Sequence, residues 1–195
     1  GKGGMGEVWR AEHAMLARPA AIKLIQPEAL ARGSDPENLV LRFEREAHAT
    51  AVLQSEHTIE LYDFGVAEDG TFYYVMELLD GLDLEVVVQR HGPMLPARVV
   101  HCLLQVCDSL AEAHAQGLVH RDIKPSNIYL CRRGLRFDVA KVLDFGLVKA
   151  RSDFVDRSGD LTTEGTLRGT PAFMVPEIAQ GAAEEIHHGV ALAHA

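Results

Sequence analysis

The chain has 195 residues, 47% hydrophobic and 24% charged, which suits one domain or two small lobes with a sizeable core. A formal net charge of −9 argues against a nucleic-acid-binding surface while leaving room for a local basic pocket for phosphates. Cys102, Cys107 and Cys131 are an odd set without metal-ligand spacing, so buried, reduced thiols are expected rather than disulfides. No apolar run reaches membrane-spanning length and no leader pattern opens the chain, so a cytoplasmic setting is expected. Lacking an initiator methionine and starting inside a glycine-rich run, the chain reads as a piece of something longer.

In chain order, "GKGGMGEVW" reads as a glycine-rich turn leading into a strand, and "AAIKLI" as a short apolar strand closed by Pro27. "ENLVLRFEREAHATAVLQ" has helical periodicity, with Leu39, Phe43, Ala47, Thr50 and Leu53 on one stripe. Glu46 lies in the middle of that stripe and Glu44 on the far side. An inward carboxylate needs a partner, because burying it alone is costly. Lys23, inside the apolar strand, has the same need. One reading pairs Lys23 with Glu46; in the other, Lys23 snorkels to the sheet edge and Glu46 caps something local.

"TIELYDFGV" and "TFYYVMEL" read as strands joined by an Asp69-Gly70 turn, hence a hairpin, and "GLDL" breaks the sheet pattern. A second amphipathic helix is expected through Val99, Leu103, Cys107, Leu110 and His114, ending at Gly117. "VHRDIKPSNIYL" follows. Its Asp122, Lys124 and Asn127 are offset by two and three, which fits neither a helix face nor a strand face. "NIYLCRRGLRF" reads as a hairpin and "AKVLDFGLV" as a buried strand running into a loop. Residues 151–168 are polar and without periodicity.

Gly1, Gly3 and Gly6 alone are a weak G-x-G-x-x-G match, open to reading as a flexible segment. With a strand behind them and Lys23 in the next, a glycine flap over phosphates fits better than a dinucleotide fold. The Asp63-Phe64-Gly65 tripeptide repeats the letters at Asp144 but lies between strand-like stretches ahead of the 119–130 loop, so it is set aside as a metal site. The ten histidines are scattered, apart from His187-His188, without zinc spacing.

Taken together, "GKGGMGEV", "AAIK", "REA", "VMELLDG", "VHRDIKPSN", "KVLDFG" and "GTPAFMVPE" resemble, in order, the eukaryotic-like serine/threonine protein kinases of bacteria. The resemblance implies an α+β, two-lobe, protein-kinase-like fold. Residues 1–79 would be an N-lobe of antiparallel sheet plus one helix, without its first strand. Residues 80–177 would be a mostly helical, incomplete C-lobe, and 178–195 an atypical tail. It further implies ATP and Mg2+ as cofactors and a protein with a Ser or Thr acceptor as partner, with no nucleic acid. Asp122 would accept the hydroxyl proton, Lys124 would steady the transferred phosphoryl group, and Asn127 and Asp144 would ligate magnesium.

By the same resemblance the nucleotide would sit under Gly1, Gly3, Gly6, Val8 and Ala21, with Tyr129 as part of the floor. Lys23 would reach the phosphates with support from Glu46. The Glu77 carbonyl and Leu79 amide would meet the adenine, with Met76 behind them, and Asp83 is a candidate ribose contact or a solvated acid. His120 would pack and hydrogen-bond within the catalytic loop. Thr162, Thr163 and Thr166 resemble phosphoacceptors facing Arg121, with Glu164 lending partial negative charge and Thr170 a positioning hydroxyl. After Glu177 the pattern stops, which leaves the second helix with an apolar face in want of cover. An inert nucleotide-binding or interaction module is the alternative to a phosphotransferase. A small-molecule phosphotransferase fits "GTPAFMVPE" less well.

Overall fold

The computed structural model describes residues 2–3, 6–25, 36–120, 122–145 and 173. Among these, one antiparallel sheet takes the order β1-β2-β3-β5-β4, from β1 (Lys2–Gly3), β2 (Gly6–Glu12), β3 (Pro19–Ile25), β4 (Leu61–Val66) and β5 (Phe72–Glu77). Between β3 and β4 in the chain lies helix α1 (Pro36–Ala51). The period-2 alternation of strands puts Val8, Lys23, Tyr74 and Phe64 in register on one face, with Ala21 beside Met76 and Ile25 beside Phe72. That face meets Phe43 and Ala47 of α1 to form the first core. Phe43 stacks at 4.6 Å from both Phe72 and Tyr74, so one aromatic side chain locks helix to sheet. Trp9, Ile22 and Val75 fall in register on the opposite face, where Trp9 is exposed.

The β4–β5 hairpin turns as its residues require. Gly70 adopts φ 83°, Asp69 Oδ1 accepts from Thr71 N at 2.9 Å, and Ala67 N donates to Thr71 O at 2.8 Å.

A second antiparallel sheet has the order β6 (Gly81–Asp83), β7 (Ile128–Arg133), β8 (Arg136–Val142), with α2 (Leu84–His91) and α3 (Pro96–Ala115) packed on it. "GLDL" thus leaves the first sheet and enters the second. A Cβ on Gly81 would lie 2.0 Å from the Leu130 carbonyl oxygen, so only glycine lets β6 approach β7 this closely. Helix α2 is absent from the sequence reading, because its Val86-Val87-Val88 run has weak helical propensity. It forms because Asp83 Oδ1 accepts from Val86 N at 2.8 Å, while Gly92 at φ 77° terminates the other end.

Helix α3 corrects the expected stripe. Its buried residues are Cys102, Val106, Ser109 and Ala113, whereas Val99, Leu103 and Cys107 are exposed and Leu110 and His114 only half-buried. Both stripes obey the 3–4 spacing of a helix, so periodicity alone leaves the phase open. Polar tethers to β8 select it. Gln105 donates to Asp138 O at 2.9 Å and accepts from Ala140 N at 3.0 Å, and Arg98 forms a two-point ion pair with Asp138. Cys107 therefore departs from the buried thiols expected; Cys102 and Cys131 are buried, and all three are free. Helix α3 ends in a Schellman motif: Gly117 at φ 75° donates to His114 O, and Leu118 N donates to Ala113 O.

The two sheets are stitched through residues 54–59. The Glu112 carboxylate accepts from Gln54 N and Ser55 N, both at 2.7 Å, and Thr58 bonds Ser109 at 2.7 Å. Backbone bonds join Val142 to His57 and Ile59. Among the described residues no helix is long and apolar enough to cross a membrane.

Candidate functional site

The 119–130 loop resolves its odd spacing with a tight turn. Lys124 is extended at φ −158°, ψ 163°, and Pro125–Asn127 then form one 3₁₀ turn closed by Asn127 N to Lys124 O at 2.9 Å. Residues i and i+3 of such a turn eclipse one another, so Lys124 and Asn127 both reach back to Asp122. Lys124 Nζ lies 3.0 Å from Asp122 Oδ2, and Asn127 Nδ2 donates to Asp122 O at 2.8 Å and to Oδ2 at 3.1 Å. Proline at the first turn position suits its fixed φ and missing N–H.

His120 joins this loop to the end of β8. It is almost fully buried, and burial holds its imidazole below the usual value, so the ring is neutral near pH 7. A carbonyl only accepts, so Nε2 carries the proton and donates to Leu143 O at 2.8 Å. Nδ1 then accepts from Asp122 N at 3.3 Å, a long bond. One imidazole thereby touches both acid-bearing segments. Leu143 N donates to Asn127 O at 2.9 Å, so the Leu143 peptide is held on both sides.

Beyond Leu143, Asp144 adopts φ 58°, a left-handed conformation rare outside glycine but tolerated by aspartate. Phe145 follows, fully buried with its ring 4.8 Å from His120. A pinned peptide before and a buried ring after hold the backbone in that conformation. Asp144 Oδ1 meets Lys23 Nζ at 2.6 Å across 121 residues of chain. Lys23 is buried in β3, which makes a carboxylate partner a necessity.

The described partner of Lys23 is thus Asp144. Glu46 has its backbone in α1, but its side chain lies outside the described residues. In the first sheet Val8 and Lys23 are direct register partners, and Ala21 is two residues from Lys23 on the same face, beside Met76. Tyr129, on β7, faces Asp83 and Lys141 in register, and its hydroxyl donates to Gly81 O at 2.7 Å. Asp83 caps α2. Gly3 and Gly6 face one another at the β1–β2 tip. Gly1, Arg121, Thr162, Thr163, Glu164, Thr166, Thr170 and Glu177 lie outside the described residues.

Glu77 closes β5 and Leu79 lies two residues on, in the linker between the two sheets. Glu77 N donates to Glu60 O and Glu77 Oε1 accepts from Glu60 N, each at 3.0 Å. The residue absent from the sequence reading here is Lys141, which is buried on β8 and 2.5 Å from Glu77 Oε1. Its signal was in the letters: like Lys23, it is a lone ammonium in an apolar strand.

Comparison with known proteins places this geometry. Residues 1–190 match the family model described as protein kinase domain. The chain is 41% identical over 181 residues to serine/threonine-protein kinase pkn3 of Myxococcus xanthus, covering 93% of this chain and 32% of that protein. It is 39% identical over 177 residues to serine/threonine-protein kinase PknH of Mycobacterium tuberculosis, covering 91% of this chain and 26% of that protein. The chain therefore spans about a third or less of these relatives. The crystal structure of the Mycobacterium tuberculosis PknI kinase domain matches with TM-score 0.63 at 31% identity, over 75% of this chain and 57% of that one.

Proposed function

The chain belongs to the protein kinase family, with serine/threonine kinases as its relatives, and from that premise we propose that it transfers the ATP γ-phosphoryl group to a Ser or Thr hydroxyl of a protein. The observation that carries this reading is the 2.6 Å contact between Lys23 and Asp144, beside an Asp122 ringed by Lys124 and Asn127. Side chains remote in sequence converge there with the charges a triphosphate and a hydroxyl need.

Residues 1–79 would bind the nucleotide from above and 80–177 from below, with 178–195 as a tail. Val8 and Ala21 would cover the adenine and Tyr129 would support it, while the Glu77 carbonyl and Leu79 amide would pair with its edge and Met76 would lie behind. Gly1, Gly3 and Gly6 would bring backbone N–H groups to the phosphates. Lys23 would release part of its hold on Asp144 to phosphate oxygens, with Glu46 as its further support. Asp122 would accept the hydroxyl proton and Lys124 would neutralise charge on the group in transit. Thr162, Thr163 and Thr166 would be phosphoacceptors answering to Arg121.

Magnesium fits the donors present. Asn127 uses its amide nitrogen on Asp122, which leaves the carboxamide oxygen for an ion. Asp144 adds a carboxylate, and no three His, Cys, Asp or Glu side chains cluster at metal spacing among the described residues. One carboxylate and one carboxamide suit an ion that keeps its waters and shares phosphate oxygens. When bound it would spread the negative charge that builds on the phosphates.

Mg-ATP at about 100 times its dissociation constant should stabilise the protein by ~2.7 kcal/mol, read as a thermal shift. Labelled ATP and a Ser/Thr substrate should give transfer that Asp122→Asn abolishes. Equal labelling by both proteins would reject the phosphotransfer reading, and binding without transfer would favour an inert nucleotide-binding module.

A further inference from the structure

Lys141 is the one buried charge in the Val139–Val142 stretch of β8, and alternation turns it away from Ala140 and Val142, toward the linker between the two sheets. Its ammonium holds two segments besides its own. It lies 2.5 Å from Glu77 Oε1 at the end of β5 and donates to Thr58 O at 2.9 Å. The far end of the linker is pinned independently, by Tyr129 Oη to Gly81 O at 2.7 Å and by Arg132 N to Asp80 O at 2.8 Å. Tyr129 and Lys141 are direct partners across β7 and β8. One register position of the second sheet therefore serves both ends of residues 78–80.

We propose that Glu77 and Lys141 form a positioning pair that sets the backbone geometry of residues 77–79, and so the alignment of the Glu77 carbonyl and Leu79 amide toward a nucleotide base. The nucleotide consequence rests on the function proposed above; the effect on the linker does not. A buried ion pair between well-packed strands adds little to stability over apolar residues of similar volume, but in some proteins it specifies a single geometry, which is the role assigned to it here. Each partner has a further bond: Thr58 O for Lys141 and Glu60 N for Glu77.

Removing one partner alone strands a buried charge and risks misfolding, so the test neutralises both in a Glu77→Gln/Lys141→Met variant. The carboxamide introduced by Glu77→Gln keeps an acceptor oxygen for Glu60 N. Two readouts apply to the purified protein. Without nucleotide, amide hydrogen exchange at the two ends of the linker, at Glu77 and Arg132, whose N–H groups donate to Glu60 O and Asp80 O, should quicken by about tenfold or more, while Val106 in the α3 core keeps its protection. With Mg-ATP, KM for ATP should rise about tenfold and kcat should stay within about threefold, as expected when ground-state alignment is lost. Linker exchange that stays at the wild-type rate, or that quickens only together with Val106, overturns the positioning role whether or not the protein uses ATP. Faster linker exchange with unchanged KM overturns the nucleotide part alone. A wild-type protein that ignores ATP would reject the proposed function, and the exchange comparison would still decide the role of the pair.

Discussion

The letters Asp-Phe-Gly occur twice in this chain, at 63–65 and from Asp144, and the described residues of the two copies differ in conformation and partners. The first lies within β4, where Asp63 is exposed and its Oδ1 accepts from the next amide, Phe64 N, at 2.9 Å. Phe64 packs edge-on against Phe43 and His48 in the first core. The second follows β8. There Asp144 is left-handed, its carboxylate meets Lys23, and Phe145 is fully buried beside His120. Identical residues become either an ordinary strand or a charged centre according to what holds the peptide before the aspartate. Leu143 is held through both its N–H and its C=O, by Asn127 and His120; Tyr62 instead contributes its hydroxyl and ring to Arg18.

The largest expected separation is in the aromatic anchors. Phe145→Ala should cost ~3–5 kcal/mol, as for full deletion of a buried ring, and Phe64→Ala about half that because Phe64 is only half-buried. Urea midpoints at constant slope measure both, and equal losses would dissolve the contrast.

The aspartates should separate in function. Asp144→Asn should lower phosphoryl transfer ~10²–10³-fold, the loss typical of one preorganised charged group, while Asp63→Asn should stay within about twofold. A comparable fall for both would show that the tripeptide at 63–65 has a share in the chemistry.

A smaller effect is expected from pH. Burial lowers the folded pKa of His120 from its ordinary 6.5. As the pH drops below about 6.5, the unfolded chain takes up the proton before the folded one, so stability declines from there down through the lowered folded value. The slope cannot exceed ~1.4 kcal/mol per pH unit for one group. Denaturation series between pH 8 and pH 5 on the wild type and His120→Gln should show this component in the first and not in the second. An identical acid response in both would mean that burial does not lower the His120 imidazole as described.

Much of the fold was legible because its signals are local. The Asp69-Gly70 turn, the Phe43–Ala47–Thr50 stripe of α1, the Gly117 stop and the β7–β8 hairpin each depend on a few neighbouring residues. Helix α2 was not legible, since three valines mask a helix that Asp83 and Gly92 impose from its ends. The buried side of α3 was misjudged because two stripes share one period, and the choice between them rests on Gln105 and Arg98 meeting Asp138, more than thirty residues away.

The candidate site divides the same way. Asp122, Lys124, Asn127 and Asp144 were readable as letters, and the family resemblance that named them is matched by the protein kinase domain over residues 1–190. Their partners were not readable. That Lys23 meets Asp144, or that Lys141 meets Glu77, depends on strands of two different sheets arriving at the same place.

By itself, then, the amino-acid order determined most of the elements, helix α2 excepted, and which family they compose, because periodicity and backbone preference act over a few residues. Tertiary structure alone decided which stripe of α3 faces inward, what anchors the backbone around Asp144, and which carboxylate each buried lysine meets. Those outcomes depend on the cost of leaving a charge or a polar group unpaired once distant segments close around it. That cost has no counterpart in any short window of sequence.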